Sequence, residues 1–396
     1  MTNVLKAFLL SILKILLIDM FTASKRELGE LYTFFRLLAQ GHVYLGTAQG
    51  EKDETGFRPI AMIQRVEHDG ARRYHIEADQ VRFEPGQLDR QGRFVPLETV
   101  SSEESVCFPR TDFQDAADYI LSLLKGQSGE EIEIPDDFEA FLDAVRIYDL
   151  EAKTDDRTDL SIAFWHAEAP LIGFAVRCKL SPMNPLLDGG RTANLKFEQT
   201  GVKFAVPTVN KINALPESST EVTDRMLLIE RLGGVLKYAD VADRVFRANL
   251  QMIDLHFPRM LAEMTRLLHL EGITRTHELV ARIIEINPLK IKDELIQKHH
   301  YYEYKMKQFL LALAFGMRPA KIFNGVDSAI QGMLITDGQG EIIAYHQSQR
   351  EVFAQYLYTH TRFEKGPVEK DKYGFLEREN GVYYFKLNAK IGLVKR

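Results

Sequence analysis

The chain has 396 residues, 45% hydrophobic and 27% charged, with 26 Gly and 14 Pro. Such a composition belongs to a globular protein of two domains, or three, and excludes collagen-like, low-complexity and disulfide-framework classes. Lys and Arg total 50 against 56 Asp and Glu, a net charge of −6, so no overall basic field marks a nucleic-acid partner. Two cysteines, Cys107 and Cys178, suit a reducing compartment and exclude a four-cysteine zinc site.

Residues 7–21, AFLLSILKILLIDMF, look like a signal-peptide core or an anchor. Lys14 and Asp19 interrupt the run, which falls short of the roughly 20 apolar residues that a spanning helix needs. Three readings stay open: a secretory signal ending near Thr22-Ala23-Ser24, an amphipathic helix docked on the body, or translation from Met20. The charge pattern favours the last two, and with them a cytoplasmic protein without a membrane span.

Ser24 followed by Glu27 has the spacing of a capping box, and Leu28, Leu31, Phe34, Phe35 and Leu38 recur at helical period. This predicts a helix over 24–40, stopped by Gly41. Short alternating runs follow at Val43–Leu45, Pro59–Val66, Arg73–Glu77 and Gln80–Phe83, as in a meander of strands. Asp112 opens a second helix ending near Gly126, and Pro135-Asp136-Asp137 opens a third. The stretch 127–160 holds twelve Asp/Glu against three Lys/Arg and reads as a solvated connector with one helix in it. The sign then reverses, with six Lys/Arg against two Asp/Glu over 170–214. Val222–Glu285 is predicted helical throughout, with Pro258 starting or kinking a helix, and Tyr301–Gly316 is a further helix. Beyond Pro319 the pattern returns to strands at Gln331–Thr336 and Glu341–His346, and Val382–Leu393 alternates again.

The residues with the clearest chemistry lie in one hairpin. Asp155-Asp156-Arg157-Thr158-Asp159 leads into a strand Leu160–Trp165, and a turn around Ala167–Pro170 returns the chain into Leu171–Leu180. Two adjacent strands, one opening on a carboxylate and the other ending in cations, suit a metal-dependent nuclease. Phosphodiester hydrolysis needs a carboxylate to hold Mg²⁺ at the scissile phosphate and a cation to orient water or offset developing charge. Side chains two apart on a strand share a face, so Ala175, Arg177 and Lys179 are expected to point together.

At these residues the chain resembles the HpaII-type restriction endonuclease family, where a strand reads roughly G-F-S-I-K-S. Here it reads Gly173-Phe174-Ala175-Val176-Arg177-Cys178-Lys179-Leu180, followed by Leu186-Leu187-Asp188 and Thr192-Ala193-Asn194-Leu195. The first helix is similar too, as Lys25-Arg26-Glu27-Leu28-Gly29-Glu30-Leu31-Tyr32 and then Leu37-Leu38-Ala39-Gln40-Gly41-His42-Val43-Tyr44. Further matches in kind are Asn249-Leu250-Gln251, Leu261-Ala262-Glu263-Met264, Tyr302-Glu303-Tyr304-Lys305, Gly316-Met317-Arg318-Pro319-Ala320-Lys321 and Tyr345-His346. The resemblance runs from about residue 22 to the end.

It implies an α/β (α+β) chain with a PD-(D/E)XK-type core of mixed sheet flanked by helices. It implies Mg²⁺-dependent cutting of double-stranded DNA at a short palindrome, with CCGG as the first expectation, by a homodimer. A cognate cytosine methyltransferase would be its genetic partner. The organisation expected is an extension over 1–21, a nuclease core over 22–215 and a helical then mixed recognition region over 216–396. Carried over by position, Asp159 is the metal-binding aspartate and Glu30 an extra carboxylate. The family's strand lysine falls on Arg177 and its serine on Ala175. Arginine is a planar fork, not a compact ammonium, so the exchange is not conservative. Either Lys179, about 6.8 Å further along the strand, or Arg177 itself acts on the water and the scissile phosphate, or the chain is a DNA-binding defence module with a degenerate site.

For DNA contact, Arg191, Thr192, Asn194 and Lys196 follow the catalytic strand; Arg and Asn suit guanine and adenine edges and Lys suits phosphates. The alternative is a solvated loop with Asn194 in a turn. Lys321 (with Arg318 a helix cap or a phosphate contact), His346 and Arg350 complete the set. Tyr301, Tyr302 and Tyr304 read as core before they read as a stacking face. His166 and His299-His300 lack metal-ligand spacing, and Cys178 reads as a buried structural thiol.

Overall fold

The computed structural model describes residues 21–97, 106–154, 158–165, 171–325 and 329–395. The apolar N-terminal stretch, Asp155-Asp156-Arg157 and the turn over 167–170 lie outside them. No helix among the described residues is long and apolar enough to cross a membrane. The chain divides into two compact units: one of 1–45, 54–182 and 333–344, the other of 46–53, 183–332 and 345–396. This division is interleaved, whereas the sequence leads one to expect a single contiguous boundary at 215/216.

The first unit contains β1 (Thr22–Ser24), α1 (Lys25–Gln40), β2 (His42–Gly46), β3 (Lys52–Glu67), β4 (Gly70–Ile76), β5 (Gln80–Leu88), β6 (Phe94–Pro96) and β7 (Cys107–Pro109). It continues with α2 (Arg110–Gly126), β8 (Glu131–Glu133), α3 (Asp136–Ala144), β9 (Leu160–Phe164) and β10 (Ile172–Cys178). The second unit starts with β11 (Leu187–Asp188), β12 (Asn194–Gly201), α4 (Val206–Asn213), α5 (Glu221–Arg231), β13 (Gly234–Val241), α6 (Arg244–Ile253), α7 (Phe257–Leu270), α8 (Thr276–Ile286), α9 (Asp293–His299) and α10 (Tyr301–Ala314). Then β14 (Ile330–Thr336) and β15 (Ile342–His346) run mostly in the first unit. The chain ends in the second with α11 (Arg350–His360), β16 (Thr361–Glu364), α12 (Val368–Asp371), β17 (Leu376–Glu379), β18 (Val382–Asn388) and β19 (Lys390–Leu393). The fold is therefore mixed α and β, as expected. Within 222–285 the helical expectation fails at one place, where β13 interrupts the helices.

The main sheet has the order β2-β15-β14-β10-β9-β3-β4-β5-β6, with β7 on β5 and an extra pairing of β2 with β3. Strands β9 and β10 pair antiparallel, with Gly173 opposite Ser161, and β9 pairs antiparallel with β3. The pairing of β15 with β2 is parallel. Helix α1 is fixed at both ends by its own sequence. Ser24 accepts from the Glu27 N–H and Glu27 accepts from the Ser24 N–H, while Gly41 closes the helix at φ 67°. Its apolar face is buried in the unit's core, with Phe34 edge-on to Tyr74 of β4 and Phe35 against Phe113 of α2.

In the second unit β13-β12-β18-β17 form one antiparallel sheet and β11-β19-β16 another. Helix α7 packs against the former through its buried apolar side, which includes Leu261, Met264 and Leu268. Tyr302 of α10 is buried and Tyr304 exposed, so that aromatic helix start is only partly core.

Candidate active site

Glycine 29 decides how close α1 comes to β10. A Cβ built there would lie 2.7 Å from Ser181 Oγ and 2.9 Å from Cys178 Cβ, so only glycine allows this approach. The next residue, Glu30, is thereby held in the electrostatic field of Asp159.

Asp159 sits just before β9. Its N–H donates to Phe174 O at 3.0 Å, and its Oδ2 accepts from the Val176 N–H at 2.6 Å. Both bonds go to β10, so the carboxylate is clamped by the neighbouring strand. Arg177 donates through Nη1 to Val176 O at 2.6 Å, and the same nitrogen lies 3.8 Å from Asp159 Oδ2. Burial pushes the Asp159 carboxyl above the usual carboxylate range, against the lowering pull of Arg177 and the Val176 N–H.

Glu30 accepts from the Ala152 N–H at 2.8 Å. Burial first, and the facing charge of Asp159 second, push it up to about 8, with Arg65 opposing. Arg65, on β3, is buried completely; its Nη2 is 3.8 Å from Glu30 Oε1 and its Nη1 is 2.5 Å from Glu67 Oε1. Glu151 contributes charge to both carboxyls and is tied to Arg26 at 2.6 Å. Neither Arg65 nor Glu151 was expected from sequence. The signal for Arg65 was a cation in an apolar strand register, next to Glu67; for Glu151 only the acidic stretch around it.

The structure thus brings together Glu30, Asp159 and Arg177. It treats Lys179 differently. Strand β10 ends at Cys178, so Lys179 lies in the following turn, where its N–H donates to Thr336 O at 2.8 Å. Alternation along a strand therefore does not place it with Ala175 and Arg177. Burial lowers its pKa, and the charge opposing that shift is Asp337, a carboxylate held by the N–H groups of Gln339, Gly340 and Glu341. Ala175 and Cys178 are both buried.

The residues expected at DNA lie in the second unit. Asn194 is buried: its Nδ2 donates to Asp371 O and Lys372 O, and its Oδ1 accepts from Asn388 Nδ2 at 2.9 Å. Lys196 sits on Glu379 at 2.5 Å and over the Tyr384 ring. Thr192 donates to Gly189 O at 2.6 Å, and Arg191 is exposed with its Nε on Lys370 O. Lys321 is exposed. His346 accepts from the Ser348 N–H, and Arg350 stacks over Phe315 with Nη2 on Gln308 at 3.4 Å.

Among the described residues no group of three His, Cys, Asp or Glu side chains gathers as a metal cluster. Glu30 and Asp159 are two hard oxygen donors whose charges oppose each other in a poorly solvated place. Such a pair fits a hard divalent cation of the Mg²⁺ kind, which binds through one or two carboxylates plus water and substrate phosphate, and does not fit a zinc site.

The family model described as HpaII restriction endonuclease matches residues 24–393. The chain belongs to the HpaII restriction endonuclease family. It is 28% identical over 378 residues to the type II restriction enzyme HpaII of Haemophilus parainfluenzae, covering 94% of this chain and 99% of that enzyme. No solved structure gives a significant match. Family membership supports site-specific DNA cleavage and implies DNA as the partner.

Proposed function

We propose that the protein is a type II restriction endonuclease that hydrolyses duplex DNA in a PD-(D/E)XK-type core, with Mg²⁺ as its cofactor. The observation that carries this reading is the Asp159–Arg177 pair on adjacent strands, with Glu30 facing it from α1. Two carboxylates and a fixed cation at one place speak against the degenerate, DNA-binding alternative.

Asp159 and Glu30 would hold the metal. When bound, Mg²⁺ supplies Lewis-acid stabilisation of the phosphate and a more acidic water. The chain's own residues do the rest. The Val176 N–H fixes one Asp159 oxygen, so the carboxylate presents the other without searching rotamers. Arg177 is anchored on Val176 O and offers a permanent positive charge where the phosphate becomes more negative as water attacks phosphorus. Arg65 limits how far the Glu30 carboxyl rises and so eases its ionisation. The reading includes a short palindromic site, CCGG first, a homodimer acting in the cytoplasm, and a cytosine methyltransferase that protects the host.

The test is cleavage of unmethylated plasmid with Mg²⁺ or EDTA by the wild type and by Asp159→Ala, Arg177→Ala and Lys179→Ala. The expected result is discrete Mg²⁺-dependent fragments, lost in the first two variants and kept in the third. Intact plasmid with wild type under all conditions refutes the enzyme. Loss in Lys179→Ala with retention in Arg177→Ala moves the cation role to Lys179.

A further inference from the structure

One loop of the second unit presents an aliphatic side chain to solvent from an unusually fixed base. Ile322 is 82% exposed. A lone exposed isoleucine is ordinary, but this one follows the exposed Lys321 in a segment that a buried side chain staples down. Asn249 of α6 donates through Nδ2 to Arg318 O at 2.9 Å and Lys321 O at 2.8 Å, and its Oδ1 accepts from the Phe323 N–H at 3.0 Å. Three hydrogen bonds from one buried amide on both sides of Ile322 leave the loop little freedom. The side chain's exposure is therefore a property of the loop's shape.

The same loop rests on a second element with DNA chemistry. A Cβ built on Gly189 would lie 2.5 Å from Pro319 Cγ, so glycine there lets the 3-10 turn Gly190–Ala193 lie directly against the loop. Exposed Arg191 of that turn has its Nε tied to Lys370 O. An aliphatic tip, with Lys321 beside it and Arg191 on the adjoining turn, is a surface complementary to a polyanion that has apolar faces between its charges.

We propose that Ile322 enters the DNA base stack as a wedge, with Lys321 and Arg191 on neighbouring phosphates. The inference rests on the nuclease reading above. Apolar wedges partially unstack a base step and kink the duplex, which repays the unstacking by additional protein contact. Asn249 is the positioning residue, since a wedge held on a mobile loop would lose its insertion to loop entropy.

The test starts from short duplexes with randomised centres, offered to the wild-type chain in Ca²⁺ and counted after selection. A chain that enriches no sequence refutes the nuclease reading, and this inference with it. On the enriched duplex, Ile322→Ala is expected to weaken binding about tenfold or more while leaving the salt dependence unchanged. It should also abolish the fluorescence rise of 2-aminopurine placed in the kinked step. Lys321→Ala should instead lower the slope of log affinity against log salt by about one. Thermal melts of Ile322→Ala should match the wild type, because the side chain is exposed. Wild-type affinity and a wild-type 2-aminopurine signal in Ile322→Ala overturn the inference. So does a changed sedimentation coefficient with unchanged DNA binding, which would assign the surface to contact between copies.

Discussion

Arg65→Met tests whether the charge network behind the site is as consequential as its burial suggests. The Arg65 guanidinium is fully buried, and among the described residues Nε and Nη2 have no hydrogen-bond partner. Its close partner is Glu67 at 2.5 Å, also buried, and Glu30 lies at 3.8 Å. Methionine keeps most of the stem and removes the charge. Breaking one side of a buried pair costs about 3–5 kcal/mol, because the partner charge is left uncompensated. Glu67 would still accept from the Tyr148 and Asp149 N–H groups and keep Arg72 at 3.5 Å, so the low end, about 3 kcal/mol, applies here. Trp165, the chain's single tryptophan, sits half-exposed beyond β9 in the same unit and reports its unfolding. A loss of that size corresponds to a urea midpoint lower by about 1–1.5 M. Arg65→Met/Glu67→Gln should recover part of the loss, since neither buried charge remains unpaired. A midpoint shift under about 0.3 M, or additive single effects in the double variant, would show that the pair is not the buried element described above.

Glu30→Gln should abolish cleavage yet raise the melting temperature by several degrees in EDTA at pH 8. The folded chain holds the Glu30 proton up to about 8, whereas the unfolded chain releases it near 4.5, so stability falls as pH rises through that window; an unchanged melting temperature would contradict this. His269 is buried with both ring nitrogens unpartnered among the described residues, and burial lowers its pKa to about 3. The unfolded chain takes up that proton near 6.5, so stability falls with acidification from 6.5 toward 3, by about 1.4 kcal/mol per pH unit; His269→Leu should flatten this limb in urea titrations at stepped pH. Asn194→Ala should cost about 2–3 kcal/mol by leaving backbone carbonyls unsatisfied, measured by urea unfolding. Lys196→Ala should leave the salt slope of DNA binding unchanged, because its ammonium already lies on Glu379.

Helix α1 was legible because all its determinants are local: Ser24 and Glu27 for the start, Leu28 to Leu38 for the buried face, Gly41 for the end. The β9–β10 hairpin was legible for the same reason. Strand β13 was not, since Val235 and Leu236 blur its alternation and the helices on both sides continue the 3.6 period. The pair Gly233-Gly234, with Gly233 at φ 81°, was the available mark of a break. In β12 the alternation is legible, with Leu195 and Phe197 buried while Lys196 turns outward, but Asn194 and Lys196 are equally apt for a DNA-contacting loop. Asp159 and Glu30 are marked out in the sequence by motif position, whereas Glu151 and Arg65 join them only because strands and helix meet there. Their own neighbourhoods carry only faint marks, the apolar strand register beside Glu67 for Arg65 and the acidic stretch for Glu151.

An arginine at 177, where the family resemblance implies a lysine, has a structural logic of its own. A strand lysine can orient water and can in principle give up a proton; an arginine keeps its charge at any working pH. On the proposed reading, Arg177 beside Asp159 would act only as a cation, so the proton lost by an attacking water would leave by another acceptor. Arg177 also spends one donor on Val176 O, the carbonyl of the same residue whose N–H clamps Asp159. Carboxylate and cation are therefore both indexed to the Val176 peptide. A lysine at 179 has no such index: its backbone is tied to Thr336 and its charge answers to Asp337. The cation anchored beside Asp159 is therefore the arginine, which is why the proposed mechanism gives the cationic role to Arg177 and not to Lys179.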